Sequence, residues 1–241
     1  MTAAPLAHAR AATADPRLII PLDVPTVGEA RALVERLGEA VSFYKIGLQL
    51  FATGGMALAA ELKAQGKQVF LDWKLHDIGA TVEKAAAAIA EAGSGDLVTV
   101  HAEPQVLAAA VRGRGSSGVK ILGVTVLTSL SPADVAAIGY ALSVEQLVER
   151  RIRQTLEAGA DGVIASPHEA ALARRIGGPD FLVVTPGVRP AWSGKDDQAR
   201  AATPAEALRN GASHLVCGRP ITAAADPHAA ALAVVEEMAS A

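Results

Sequence analysis

Cysteine is almost absent from the chain: its 241 residues hold one, Cys217. A single thiol cannot close an internal disulfide, and its place in Leu215-Val216-Cys217-Gly218 predicts a buried small hydrophobe. Aromatic residues are scarce as well, at 3%, which leaves Ala-rich helices packed on aliphatic strands as the way to build a core. No apolar run reaches the roughly 18 residues that a membrane span needs, so no transmembrane helix is expected. Residues 1–16 lack the continuous apolar centre of a signal peptide and read as a loose N-terminal tail, which makes the cytoplasm the expected location. Blocks of Lys or Arg are missing too, and 22 basic against 25 acidic residues leave a net charge of −3. Nucleic acid and an anionic membrane are therefore not expected as partners. Gly-x-Gly-x-x-Gly, a Walker loop and a nucleophile elbow do not occur.

What is present is aliphatic: 51% of the residues are hydrophobic and 20% charged, enough to bury a large core. Short apolar runs recur at about 18–23, 42–47, 68–75, 97–101, 120–126, 162–165, 181–185 and 214–218. Between them, helical spacing spans roughly 27–38, 54–66, 79–93, 103–112, 143–158, 167–176 and 203–211, with 226–239 closing the chain. Glycines at 38, 66, 93 and 159 follow four of these as helix stops. Strands alternating with helices imply parallel pairing and right-handed crossovers. Alternation alone permits an open or a closed sheet. Eight units without a Pro- or Gly-rich linker favour a (β/α)8 TIM barrel, a single domain over residues 17–241.

Charges interrupt these apolar runs where a core would exclude them. Asp72 and Lys74 lie within Val69–Ile78, and Lys45 within Phe43-Tyr44-Lys45-Ile46-Gly47-Leu48. Leu18-Ile19-Ile20-Pro21-Leu22 ends in Asp23. Residues two apart on a strand face the same side, so Asp72 and Lys74 share a surface. Burying such groups costs several kcal/mol apiece unless they are paired. In a barrel the active site lies at the C-terminal ends of the strands, and there these charges fall. Asp77 completes an Asp-x-Lys-x-x-Asp pattern, although an Asp before a helix start is also a common N-cap.

A second group follows the last strands. Arg189 comes after Thr185-Pro186-Gly187-Val188, and Gly218-Arg219 after the eighth strand. The loops there form the usual phosphate site of this fold: Gly218 admits an anion to the backbone, and Arg219 has a guanidinium suited to gripping it. The polar stretch from Pro190 to Asp197, next to Gln198, reads as a lid. His76 and His101 lack metal-ligand spacing, and Lys45 and Lys74 would repel a cation, so packing or hydrogen bonding is their expected role and no metal is expected.

These residues in this order resemble the orotidine 5′-phosphate decarboxylase family, over about 18–227. The resemblance rests on Leu22-Asp23, Tyr44-Lys45-Ile46-Gly47 and Phe70-Leu71-Asp72-Trp73-Lys74-Leu75-His76-Asp77-Ile78. It continues through Val124-Thr125-Val126-Leu127-Thr128-Ser129, Thr185-Pro186-Gly187-Val188-Arg189, Asp197-Gln198 and Gly218-Arg219. It implies cofactor-free conversion of orotidine 5′-phosphate to UMP and CO2, with Lys74 donating a proton to C6. Lys74 would stand between Asp72 and an Asp77 from the second subunit of a homodimer. Lys45 would complete the array and touch the ribose, as would Asp23. Ile78 and Thr81 would reach into the neighbouring site, and Thr128 would read the pyrimidine. Arg189, Gln198, Gly218 and Arg219 would hold the phosphate and its lid.

Two departures stand beside the charges: Trp73 where Leu is common, and Gly79-Ala80 where Pro-Asn or Pro-Thr is usual. Both bear on dimer packing. The alternatives are a magnesium-dependent keto-sugar-phosphate decarboxylase with the same Asp-x-Lys-x-x-Asp core, and a noncatalytic barrel that binds a phosphorylated ligand.

Overall fold

The computed structural model describes residues 14–193 and 202–241. Most of the predicted tail, Gln198 and the second half of the predicted lid lie outside the described residues.

Eight strands form the barrel: β1 (Leu18–Pro21), β2 (Phe43–Gly47), β3 (Gln68–Leu75), β4 (Leu97–His101), β5 (Lys120–Val124), β6 (Gly162–Ile164), β7 (Leu182–Pro186) and β8 (His214–Val216). Each pairs in parallel with the next, and β8 pairs with β1 to close the ring. Alternation along each strand divides the core. Ile19, Phe43, Phe70, Leu97, Leu122, Val184 and Val216 fill the inside of the barrel. Their neighbours Ile20, Tyr44, Leu71 and Val98 face outward into the layer beneath the helices. Period-two geometry thus gives every strand two apolar faces, as a sheet covered on both sides requires. Each fully buried aliphatic side chain contributes roughly 1.5–3 kcal/mol.

The helices are α1 (Val27–Leu37), α2 (Leu48–Phe51), α3 (Gly55–Ala64), α4 (Gly79–Ala92), α5 (Pro104–Arg114), α6 (Pro132–Ala137), α7 (Val144–Glu157), α8 (Ala170–Gly177), α9 (Pro204–Arg209), α10 (Arg219–Thr222) and α11 (Pro227–Met238). Local chemistry sets their starts. The Thr26 hydroxyl accepts the Glu29 amide at α1, and reciprocal capping boxes open α7 (Ser143, Gln146) and α9 (Thr203, Glu206). Close approach of α4 to α5 depends on Gly113, where a Cβ would lie 2.1 Å from the Glu83 carbonyl oxygen.

The short helices α2, α6 and α10 are additions to the predicted order. At four to six residues they are too brief for a helical period to show. The start of α6 nonetheless carries a readable signal, a Ser131–Asp134 capping box. Trp73 points away from the barrel interior, as expected from its parity. It is buried, with its ring centroid 4.5 Å from that of Phe51.

Candidate active site

The strand parity that fills the barrel also aims its charges. Two residues beyond the interior Phe43 stands Lys45, and two beyond Phe70 stands Asp72. At the C-terminal mouth these inward positions open onto a cleft of about 200 Å³. Lys45, Asp72 and Lys74 line one part of it, and Leu127, Thr128 and Ser129 after β5 line another.

The charges form a continuous chain. Lys45 Nζ lies 3.1 Å from Asp23 Oδ1 and 3.4 Å from Asp72 Oδ2. Asp72 Oδ1 receives Lys74 Nζ at 2.8 Å and the Thr99 hydroxyl at 3.0 Å. Burial alone would raise the Asp72 pKa. The Lys45 and Lys74 charges, with hydrogen bonds from Lys74 and Thr99, outweigh it and hold the carboxyl below its ordinary 3.8. Asp72 is therefore ionised at neutral pH, and two carboxylates face two ammoniums. Gly47, at the end of β2, leaves room for them: a Cβ there would lie 3.0 Å from Asp23 Oδ1 and 3.2 Å from Lys45 Nζ.

Lys74 reaches this chain through an irregular backbone. Its φ of 49° is the one positive value at a non-glycine among the described residues. The register of β3 against β4 explains the irregularity. Leu71 pairs with Val98, but the next pair is Leu75 with Val100. Three residues of β3, Asp72 to Lys74, thus stand opposite Thr99 alone. Thr99 is fully buried, and besides donating to Asp72 it accepts the Lys74 amide at 3.0 Å. The sequence expectations omit Thr99. A signal was available: with His101 it is one of two inward-parity polar residues in Leu97-Val98-Thr99-Val100-His101, and it lies deeper in the strand.

The remaining predicted residues divide. Asp23, Lys45, Asp72 and Lys74 come together in one network, and Thr128 lines the same cleft. Asp77 makes no ion pair with Lys74 within its own chain, among the described residues; its carboxylate instead accepts the Ile78 amide at 2.6 Å. It does not cap α4, because the N-cap position is Ile78. Ile78 is 71% exposed and Thr81 is exposed in the first turn of α4.

Arg189 and Arg219 each lie three residues beyond the register partners Pro186 and Val216, at the same end of adjacent strands. Arg189 is buried, and its amide bonds the Ala202 carbonyl at 3.0 Å. Gly218 is the N-cap of α10, and its carbonyl accepts the Ile221 amide at 2.8 Å.

His76 and His101 stack with centroids 4.5 Å apart, facing Glu103 at 3.7 and 4.0 Å. Burial holds His101 below the ordinary histidine value, although Glu103 pulls it the other way. Cys217 is buried, which pushes its thiol up to about 12. No helix among the described residues is long and apolar enough to cross a membrane.

Known proteins share both the sequence and this architecture. The model of the orotidine 5′-phosphate decarboxylase / HUMPS family matches residues 16–234. The orotidine 5′-phosphate decarboxylase of Caulobacter sp. (strain K31) is 72% identical over 227 residues, covering 94% of this chain and 99% of its own. That of Rhodopseudomonas palustris (strain HaA2) is 54% identical over 234 residues, covering 95% and 99%. The crystal structure of orotidine 5′-phosphate decarboxylase from Lactobacillus acidophilus superposes with a TM-score of 0.81 at 37% identity, over 93% of this chain and 99% of that one.

Proposed function

The chain belongs to the orotidine 5′-phosphate decarboxylase / HUMPS family and is a decarboxylase of pyrimidine biosynthesis acting on orotidine 5′-phosphate, and from that premise we propose that Lys74 is its proton donor. The observation that carries this reading is the continuous Asp23–Lys45–Asp72–Lys74 charge chain at the barrel mouth.

The chemistry asks for such an arrangement. Breaking the bond between C6 and the carboxylate leaves an electron pair in the plane of the ring, where the π system cannot delocalise it. Fixed charge must stabilise that carbanion, and an ammonium already held in place spends nothing on reorganisation. Lys74 then gives C6 one of its protons as CO2 departs, which leaves UMP and a neutral amine to be reprotonated. Asp72 lies beside the substrate carboxylate in this scheme. Two like charges about 4 Å apart repel by roughly 4 kcal/mol at an effective dielectric of 20, and the repulsion leaves with CO2.

Lys45 and the exposed carboxylate of Asp23 hold the ribose, and Thr128 reads the pyrimidine. Arg189, Gln198, Gly218 and Arg219 hold the phosphate, whose binding energy aligns the distant ring. The protein works as a cytoplasmic homodimer. Asp77, Ile78 and Thr81 of one protomer serve its partner's site. Their exposure, and the lack of an Asp77–Lys74 pair within the described chain, support that division.

Ultraviolet absorbance of orotidine 5′-phosphate mixed with purified protein tests the assignment, and EDTA is expected to leave the rate unchanged. Lys74→Ala should lower turnover by many orders of magnitude with the fold intact. Retention of a tenth of wild-type turnover refutes Lys74 as donor.

A further inference from the structure

We propose that Thr99 is a positioning residue that sets Lys74 for proton transfer, an inference that rests on the Lys74 reading above. A lysine held at φ 49° sits in a region that costs a residue with a Cβ about 1–2 kcal/mol, so its surroundings must impose it. The imposing group stands directly across the sheet. Between the register pairs Leu71–Val98 and Leu75–Val100, β3 carries two more residues than β4, and Thr99 alone faces the excess.

One hydroxyl is bonded to both ends of the distortion. The Lys74 amide can only donate and the ionised Asp72 carboxylate can only accept, so chemistry fixes the direction of both bonds. Thr99 accepts from Lys74 N at 3.0 Å and donates to Asp72 Oδ1 at 3.0 Å. The same Oδ1 takes Lys74 Nζ at 2.8 Å. Backbone amide, hydroxyl, carboxylate and ammonium therefore close a ring that fixes the lysine at its root and at its tip. Thr99 is fully buried, so water cannot take over its bonds.

The test compares Thr99→Val, which keeps the shape, with Thr99→Ser, which keeps the hydroxyl, and with Lys74→Ala. A displacement of about 1 Å at the reacting group costs on the order of 100-fold. Thr99→Val should lose about that much in kcat while KM for orotidine 5′-phosphate stays within about threefold. Its acidic limb of kcat against pH should move toward neutral, because Asp72 loses a bond that favours its charged form. Thr99→Ser should keep most of kcat and the wild-type profile. A purely structural role would lower melting temperature and active fraction but leave the pH profile in place. If Thr99→Val fails to fold, Thr99→Ala against Thr99→Ser carries the same comparison. A hydroxyl-free variant within threefold of wild type beside an inactive Lys74→Ala overturns the role of Thr99 alone. An active Lys74→Ala overturns the donor assignment and this inference with it.

Discussion

Replacing Asp72 with Asn should destabilise the protein, and the geometry sets how much. The substitution keeps the shape and leaves an acceptor for Thr99 but removes the charge between two ammoniums. At an effective dielectric of 20, the gross attraction is about 6 kcal/mol for Lys74 at 2.8 Å and about 5 kcal/mol for Lys45 at 3.4 Å. Desolvation offsets most of this in the wild type, but the mutant keeps one buried and one half-buried ammonium without their shared partner. Breaking a buried pair in this way costs about 3–5 kcal/mol. The 28% exposure of the Lys74 side chain argues for the lower end, about 3 kcal/mol. For a chain of this size that is a fall in Tm of roughly 6–12 °C.

Urea denaturation of both proteins at pH 7, followed by circular dichroism, reads the difference. Its pH dependence adds a stricter requirement. The folded-state pKa of Asp72 lies below its ordinary 3.8, so the carboxylate's contribution is complete above that value and is lost as pH falls through the folded one. The gap between wild type and Asp72→Asn should therefore close in that acidic window, where protonated Asp and Asn become near-equivalents. A difference under 1 kcal/mol at neutral pH, or a gap that persists once Asp72 is protonated, refutes the charge-chain account.

Further outcomes follow from the same geometry. Arg219→Ala should lower kcat/KM by well over tenfold, and added phosphite should partly rescue turnover of the phosphate-free nucleoside; a change within twofold removes the β8 loop from the phosphate site. Gly47→Ala places a methyl 3.0 Å from Asp23 Oδ1 and 3.2 Å from Lys45 Nζ; steady-state kinetics should show a KM raised about tenfold, and an unchanged KM separates this pair from the ribose. Asp77→Ala and Lys74→Ala should each be nearly inactive, yet mixing them should restore about a quarter of wild-type activity if subunits exchange and sites act independently. No recovery despite proven exchange refutes the cross-subunit role of Asp77.

How much of this was legible in the sequence depends on the kind of order involved. The alternation of apolar runs with helical segments is periodic, and periodic patterns survive in one dimension; hence the eight strands were readable to within a few residues. Parity is periodic too, so Lys45 and Asp72 declared their inward direction once Phe43 and Phe70 were taken as core. The short helices α2, α6 and α10 were missed because four to six residues hold no helical repeat, although the Ser131–Asp134 capping box marks the start of α6. Arg189 and Arg219 were placed by chain order alone, since both follow neighbouring strands by three residues.

Register is the order that one dimension does not carry. Nothing in Val69–Ile78 announces that β3 runs two residues long against β4, because the excess exists only relative to Val98–Val100 on another strand. The strained Lys74 and the role of Thr99 both arise from that mismatch, so they were invisible for one common reason. The alternation argument nevertheless aimed Lys74 correctly. Adding two residues to a strand with period two leaves inward and outward unchanged: Asp72 still faces in, Trp73 out and Lys74 in. A mismatch of one residue would have turned Leu75 and the ladder beyond it inside out. An excess of two keeps the apolar side chains of β3 on their proper faces while Lys74 takes its positive φ. The chemistry-bearing irregularity thus leaves the inward and outward faces of β3 unchanged.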